Sequence, residues 1–414
     1  MRLPSALKHK YIKRFLLARF VSNLGNGMGP IALSFGILHL KNGSASVLGL
    51  VIASTTISML IISPFGGVIA DKFGRVRVAG LTDMWGAIGL LFQVAFFATG
   101  NVPIWVMLVA NINFGLMWGI FWPSMLGVVP AIVPEESLQK TNGLVQFFQN
   151  AAMIIGTAVG GIIVSIWGST WALGIDAATF LFSGAVVFSF RKISVVTEES
   201  TSSMFDDLIH GWKVFISYRW IVAGVVGFSA IMMSWSAGEA VLGPLISLKY
   251  FNGARSWAFV LTCESIGFVI GSLLAMRLKV KYPLRFLLIA SVSIPIYMLA
   301  MAKPQPLIVI GLCALLWGIT LDLWSSLWST AMQREIPREA LSRVSSFDAM
   351  GTMLLRPIGL AIAGPLSVAI GLTRSMELLS GICLLCLIGM ALVPEMRNMQ
   401  MQSASGNNKF SANS

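Results

Sequence analysis

Five ionisable side chains sit inside long apolar runs: Arg19, Glu239, Glu264, Asp322 and Arg356. A charge in such a run is costly, and by default it marks a pathway, a proton relay or a structural pair. At about 1.5 Å of rise per helical residue, Glu239 and Glu264 lie at matched depth, about 10–12 Å below one membrane surface. Facing each other, they form a site suited to accepting a proton; apart, they are interface carboxylates that reach water. Both readings are open at this point, and the two residues are the candidates for proton coupling. Asp322 and Arg356 lie at depths that a long arginine can bridge and are expected to form an intramembrane charge pair. Asp83, Asp176 and Asp348 fall near helix ends, where capping or packing is the expected role.

Helical spacing suggests which residues line a cavity. In the run around 306–331, Gly318, Asp322, Ser325 and Ser329 form a small polar stripe, with Trp317, Trp324 and Trp328 away from it. The stripe is the expected cavity wall, and the tryptophans are expected at lipid or the interface. Asn111, Gly115, Trp118 and Trp122 share another face. With Arg19 and Asn26 of the first run, the candidate cavity residues are Arg19, Asn26, Asn111, Trp118, Trp122, Gly318 and Ser325.

Other chemistries lack their residues. Neither HExxH nor GxSxG occurs, and His9, His39 and His210 lie outside helix centres, so an enzyme is not expected. No phosphate-binding GxxxxGK[ST] loop is present, so ATP drive by this chain is not expected. Cys263, Cys313, Cys383 and Cys386 fall in apolar runs and read as packing residues; no metal and no cofactor is expected.

The elements that must position these residues follow from composition. The chain has 414 residues, 56% hydrophobic and 11% charged, with a mean hydropathy of +0.81. Runs of about 20 apolar residues each match a hydrocarbon core about 30 Å thick. Only helices or closed barrels satisfy their backbone in lipid, and runs of this length exclude barrel strands. Twelve transmembrane helices are expected, at 11–38, 45–70, 76–98, 103–127, 141–166, 171–190, 219–246, 256–277, 283–302, 306–331, 343–370 and 372–393. The first, though preceded by a basic stretch, outruns a signal-peptide core and reads as a retained helix.

Most of the 29 lysines and arginines fall on one side if the N-terminus is inside, so both termini are expected in the cytoplasm, in the inner membrane. The net charge of +12 then anchors the inner leaflet, and no nucleic acid is needed to explain it. The polar stretch 191–218 reads as a cytoplasmic linker between an N-terminal half, 1–190, and a C-terminal half, 219–393, with a cytoplasmic tail at 394–414. The halves repeat: Pro134, Leu138 and Lys140 align with Pro337, Leu341 and Arg343, and the same offset carries Gly156 to Gly359 and Gly161 to Gly364. Parallel halves of this kind are a known transporter plan.

After the second run comes Gly66-Gly67-Val68-Ile69-Ala70-Asp71-Lys72-Phe73-Gly74-Arg75-Val76-Arg77. The glycines allow close helix approach, Asp71 can accept from donors at a helix end, and Gly74 permits a tight turn. The string resembles the loop 2–3 motif of the major facilitator superfamily, which makes Gly66, Gly67, Asp71, Gly74, Arg75 and Arg77 the conformational motif. Further segments resemble the bacterial branch of enterobactin-exporter-like and macrolide-efflux permeases: Ser22-Asn23-Leu24-Gly25, Val133-Pro134 with Leu138 and Asn142, Ile175-Asp176-Ala177, and Pro337 with Leu341, Arg343 and Val344. Two departures stand out. Asn26 follows Gly25 where this branch often has Asp, and Gly156-Thr157-Ala158-Val159-Gly160-Gly161 lacks the proline usual in exporters.

The resemblance implies an all-α fold of two pseudo-symmetric six-helix halves. It also implies proton-coupled export of a small amphiphilic or hydrophobic molecule, such as a drug or siderophore, by alternating access. A proton-coupled uptake symporter would have the same architecture, and a non-transporting membrane sensor is the alternative of another class. The expected partners are a small-molecule substrate, protons and the bilayer, with the chain a monomer.

Overall fold

The computed structural model describes residues 11–100, 102–134, 137–191, 212–278, 280–303 and 305–400. Twelve long helices make up the bundle: α1 (Ile12–Leu38), α2 (Ala45–Phe73), α3 (Arg75–Ala98), α4 (Ile104–Leu126), α5 (Leu138–Trp167), α6 (Ser169–Phe188), α7 (Arg219–Tyr250), α8 (Ala254–Ala275), α9 (Pro283–Ala302), α10 (Leu307–Glu335), α11 (Arg338–Met353 and Arg356–Ile370) and α12 (Leu372–Leu392). All but α1 are long and apolar enough to cross a membrane by length and composition alone. Helix α1 carries Arg19, Ser22, Asn23 and Asn26 among its apolar residues and packs against α5 and α6, completing the twelve. The outer surface is apolar: Ile61, Trp105, Leu385 and Val368 are 64, 66, 69 and 83% exposed, as helices solvated by lipid require.

The boundaries differ from the expected ones where a helix runs on past its apolar run or is interrupted within it. Helices α2, α5, α7 and α10 continue past the expected ends. Three C-terminal helices are interrupted, each beside a proline. Proline lacks an N–H, and its ring crowds the carbonyl four residues back. Pro295 follows the break between Ala290 and Ser293 in α9, and Pro357 follows the break after Met353 in α11. Pro244 follows a π-helical segment, Ala237–Leu242, within α7. At the α11 break the free Leu355 N–H donates to Ser229 Oγ on α7, 3.3 Å away.

Within the first half α2 packs on α4 and α3 on α6; within the second α8 packs on α10 and α9 on α12. The halves meet along two seams, α2 with α11 and α5 with α8. Glycines make both possible, since helices in lipid associate by close backbone packing at small residues. Gly49 abuts the Leu360 carbonyl, Gly364 abuts Ser46, and Gly161 abuts Ala258. These contacts lie toward the end of the bundle opposite the α2–α3 turn, so that end is closed. The expected linker lies largely outside the described residues, at 192–211, as does the tail beyond residue 400.

Candidate functional site: a cavity between the halves

A cavity of about 600 Å³ lies between the two halves. Its walls come from α1 to α6 on one side and from α7, α8 and α11 on the other. Trp122, near the α4 end that lies beside the α2–α3 turn, and Gln146 of α5 also line it, so the space extends toward the end that the seams leave apart. Of the candidate cavity residues, Arg19, Asn26, Asn111, Trp118 and Trp122 are on the wall. Asn111 is fixed there, donating to the Met107 carbonyl at 2.9 Å and accepting from Thr55 Oγ1 at 3.2 Å. Trp118 and Trp122 stack at 5.7 Å, one turn apart on α4.

Gly318 and Ser325 are not on the wall. Gly318 is pressed against the backbone of Glu264 and Gly267, so the small stripe of α10 lets α8 come close and does not face the cavity. A Cβ at Gly271 of the same seam would lie 2.9 Å from the Asp322 Cβ. The tryptophans of α10 turn inward instead of toward lipid. Trp324 stacks on Phe228 at 4.8 Å, Trp328 meets Trp220 at 5.0 Å, and Trp317 is fully buried. An aromatic stripe on a helix is apolar on whichever side it faces, and here the α7 aromatics gave it a partner.

Glu239 and Glu264 come together. Glu239 sits in the π-helical segment of α7 and lines the cavity; Glu264, on α8, is buried behind it as its electrostatic neighbour, with Oε1 lacking a hydrogen-bond partner. Two carboxylates that face each other away from water repel, and a proton taken up by the pair relieves that repulsion. Trp235, one turn before Glu239, donates Nε1–H to Glu239 Oε2 at 2.8 Å and so fixes its direction. The fully buried Tyr297 of α9 adds its hydroxyl to the electrostatic surroundings of both glutamates. A π-bulge shifts the register of the side chains it carries and often accompanies a functional site. The spacing of Trp235 and Glu239 was a sequence signal for this arrangement; Tyr297 had none.

The expected pair of Asp322 and Arg356 is not formed among the described residues. Arg356 lines the cavity beside the α11 break, with Glu239 as its electrostatic neighbour, and Asp322 Oδ2 is buried without a hydrogen-bond partner. The buried ion pair is instead Arg19 with Asp83, 3.7 Å apart and 2 and 0% exposed. Ser183 Oγ donates to Asp83 Oδ2 at 2.6 Å, and the Arg19 guanidinium lies 5.0 Å from the centroid of the Phe121 ring. Asp83 therefore ties α1, α3 and α6 together rather than capping a helix. Asp176 also departs from the packing role expected of it, because it lies on the cavity wall. A polar stripe on α5, Gln146, Gln149 and Asn150, lines the cavity too, at the i, i+3, i+4 spacing that reveals one helical face.

At the α2–α3 turn, Gly74 has φ +89°, outside the range that L side chains adopt readily. It ends α2 and starts α3. Arg75 Nε donates to Asp71 Oδ1 at 2.7 Å across the turn, while the Arg75 stem rests on Gly127 at the end of α4. Gly66 fits against the Gly119 carbonyl of α4; Gly67 meets nothing, and Arg77 is exposed. A Cβ branch at residue 74 adds a backbone strain of about 1–3 kcal/mol, whereas the exposed Asp71–Arg75 pair adds little stability. Gly74→Val is therefore expected to lower the yield of folded, inserted protein more than Asp71→Asn, as read by thermal unfolding of the purified variants. Equal yields and equal unfolding temperatures would refute the role given to the turn.

Residues 15–360 match the family model described as Major Facilitator Superfamily. Macrolide efflux protein A of Streptococcus pyogenes is 24% identical over 392 residues, covering 92% of this chain and 95% of that protein. Multidrug efflux pump Tap of Mycolicibacterium fortuitum is 24% identical over 407 residues, covering 94% and 97%. Among solved structures, nucleoside transporter NupG superposes with a TM-score of 0.76 at 12% identity, covering 92% of this chain and 98% of that one. A bacterial homologue of the iron transporter ferroportin, in its inward-facing state, gives 0.72 at 16% identity, covering 94% and 98%. The family model matched over residues 15–360 places this chain in the Major Facilitator Superfamily, as a transporter and not an enzyme.

Proposed function

We propose that the chain exports a small amphiphilic or hydrophobic compound from the cell in exchange for protons, by alternating access of its two halves. The observation that carries this reading is Glu239, on the wall of the inter-half cavity, in a π-helical segment, paired with the buried Glu264 behind it. The names of the relatives, macrolide efflux and multidrug efflux, support export.

The coupling follows from charge. Without the shared proton the two carboxylates repel each other across the α7–α8 contact, away from water. Gaining the proton removes that repulsion and weakens the hold of Glu239 on Arg356 of α11. Helix α11 reaches the other half through the Leu360–Gly49 and Gly364–Ser46 contacts, so the charge state of one carboxyl pair bears on a seam that must open for transport. Differential stabilisation of two states is what a proton gradient needs to act on. In this reading the chain works as a monomer in the cell membrane with both termini in the cytoplasm. Its halves are 1–190 and 219–393, joined by 191–218, and the open end of the cavity faces the cytoplasm.

Orientation is tested by labelling. Single cysteines at Lys41 and Gly253, in a cysteine-free background, are expected to react with an impermeant thiol reagent added to intact cells, and cysteines at Lys72 and Lys281 only after the cells are opened. The reverse pattern would overturn the orientation and the direction of transport with it. The coupling itself is tested by flux in everted vesicles with the two glutamates replaced.

A further inference from the structure

Four charged side chains line the cavity: Arg19, Asp176, Glu239 and Arg356. Three have an opposite charge as an electrostatic neighbour. Arg19 has Asp83 at 3.7 Å, and Glu239 and Arg356 feel each other's charge without forming an ion pair. Asp176 has no ion-pair partner among the described residues, although it is only 2% exposed and its Oδ1 is buried without a hydrogen-bond partner. The Thr179 hydroxyl beside it donates to the Asp176 backbone carbonyl at 2.7 Å.

The surroundings of Asp176 are shaped for its carboxylate. A Cβ at Gly25 would collide with Asp176 Oδ1, and a Cβ at Gly29 would lie 3.0 Å from Oδ2, so α1 gives way at these two positions. One turn along α6, Phe180 packs on Phe114 at 6.0 Å and Trp118 at 6.2 Å. From Trp118 the aromatic wall continues to Trp122, toward the open end. The cavity thus has, at one place, a buried carboxyl group with no ion-pair partner among the described residues, and an apolar, aromatic track leading away from it.

We infer that Asp176 is the cation-binding subsite of the substrate cavity, taking the ammonium or other onium group of an amphiphile whose apolar body lies along Phe114, Trp118 and Trp122. A cation supplies the ion-pair partner that the buried carboxyl group lacks and favours its ionised form, and the rings add cation–π and apolar contact. This deepens the export reading and rests on it only in taking the cavity as the substrate path. It also divides the labour between the halves: the substrate cation is held at Asp176 on the first, and the proton at Glu239 and Glu264 on the second.

The test is equilibrium binding to the purified full-length chain, with tetraphenylphosphonium as the cationic probe and triphenylphosphine oxide as its neutral counterpart. Asp176→Asn is expected to weaken tetraphenylphosphonium by roughly tenfold or more, the loss of one well-placed charge contact, while the neutral probe changes less than about twofold. Asp176→Glu is expected to retain the preference for the cation. In the wild-type chain, carbodiimide labelling of Asp176, mapped by mass spectrometry, is expected to slow with tetraphenylphosphonium but not with triphenylphosphine oxide. This arm needs no variant to fold. The inference is overturned if the wild type does not prefer the cation, if Asp176→Asn weakens both probes alike or neither, or if neither probe or both protect Asp176. No gradient is applied, so a chain that binds without proton coupling still passes, and a coupled chain that ignores charge fails.

Discussion

Glu239→Gln and Glu264→Gln are expected to uncouple transport from the proton gradient while leaving substrate exchange in place. Glutamine keeps the shape and the hydrogen-bonding capacity of a protonated carboxyl but cannot release the proton. In wild-type everted vesicles an acid interior is expected to accelerate uptake of a transported dye. With Glu239→Gln that stimulation should vanish, and uptake should fall to the rate seen without a gradient. Counterflow, which exchanges substrate for substrate and needs no net proton movement, should persist within about threefold, a change of less than 1 kcal/mol in barrier. Glu264→Gln should behave alike, because Glu264 meets the cavity only through Glu239. If the double variant transports with the pH dependence of the wild type, neither glutamate carries the coupling proton.

Arg19→Met is expected to be the most destabilising single change among the intramembrane charges. It removes the cation from Asp83, which is fully buried between α3 and α6 and would keep only the Ser183 hydrogen bond. Breaking a buried pair by removing one partner costs on the order of 3 kcal/mol, because the other charge is left without compensation. Combining it with Asp83→Asn removes the stranded charge and should recover much of the loss. Asp322→Asn removes no ion pair and should cost far less. Thermal unfolding of the four purified proteins in one detergent checks the order. A loss with Asp322→Asn as large as with Arg19→Met would contradict the assignment of the buried pair.

The fold was largely legible because its signals are local. Apolar runs of fixed length need only the neighbouring sequence to reveal membrane-spanning helices. The site was legible in part. Depth along a helix matched Glu239 to Glu264, and the face shared by Asn111, Trp118 and Trp122 does line the cavity. Rotation of one helix against another is not written in such patterns. Arg356 was matched by depth to Asp322, but the rotation of α11 turns it to Glu239. The small stripe of α10 has the pattern of a cavity wall and serves as a packing seam, because Gly267 and Gly271 of α8 offer it a matching surface. Asp176, near the end of its run, resembled a packing or capping residue; only the position of Gly25 and Gly29 on α1 puts it on the wall.

The most direct test of proton-driven export uses the purified full-length chain in liposomes with an acid interior, challenged with a panel of amphiphilic dyes. The account predicts that at least one dye accumulates against its own gradient, that each uptake releases protons from the lumen, and that an ionophore collapsing the pH difference abolishes the accumulation. Dye that merely equilibrates, at the same rate with and without the pH difference, would contradict it.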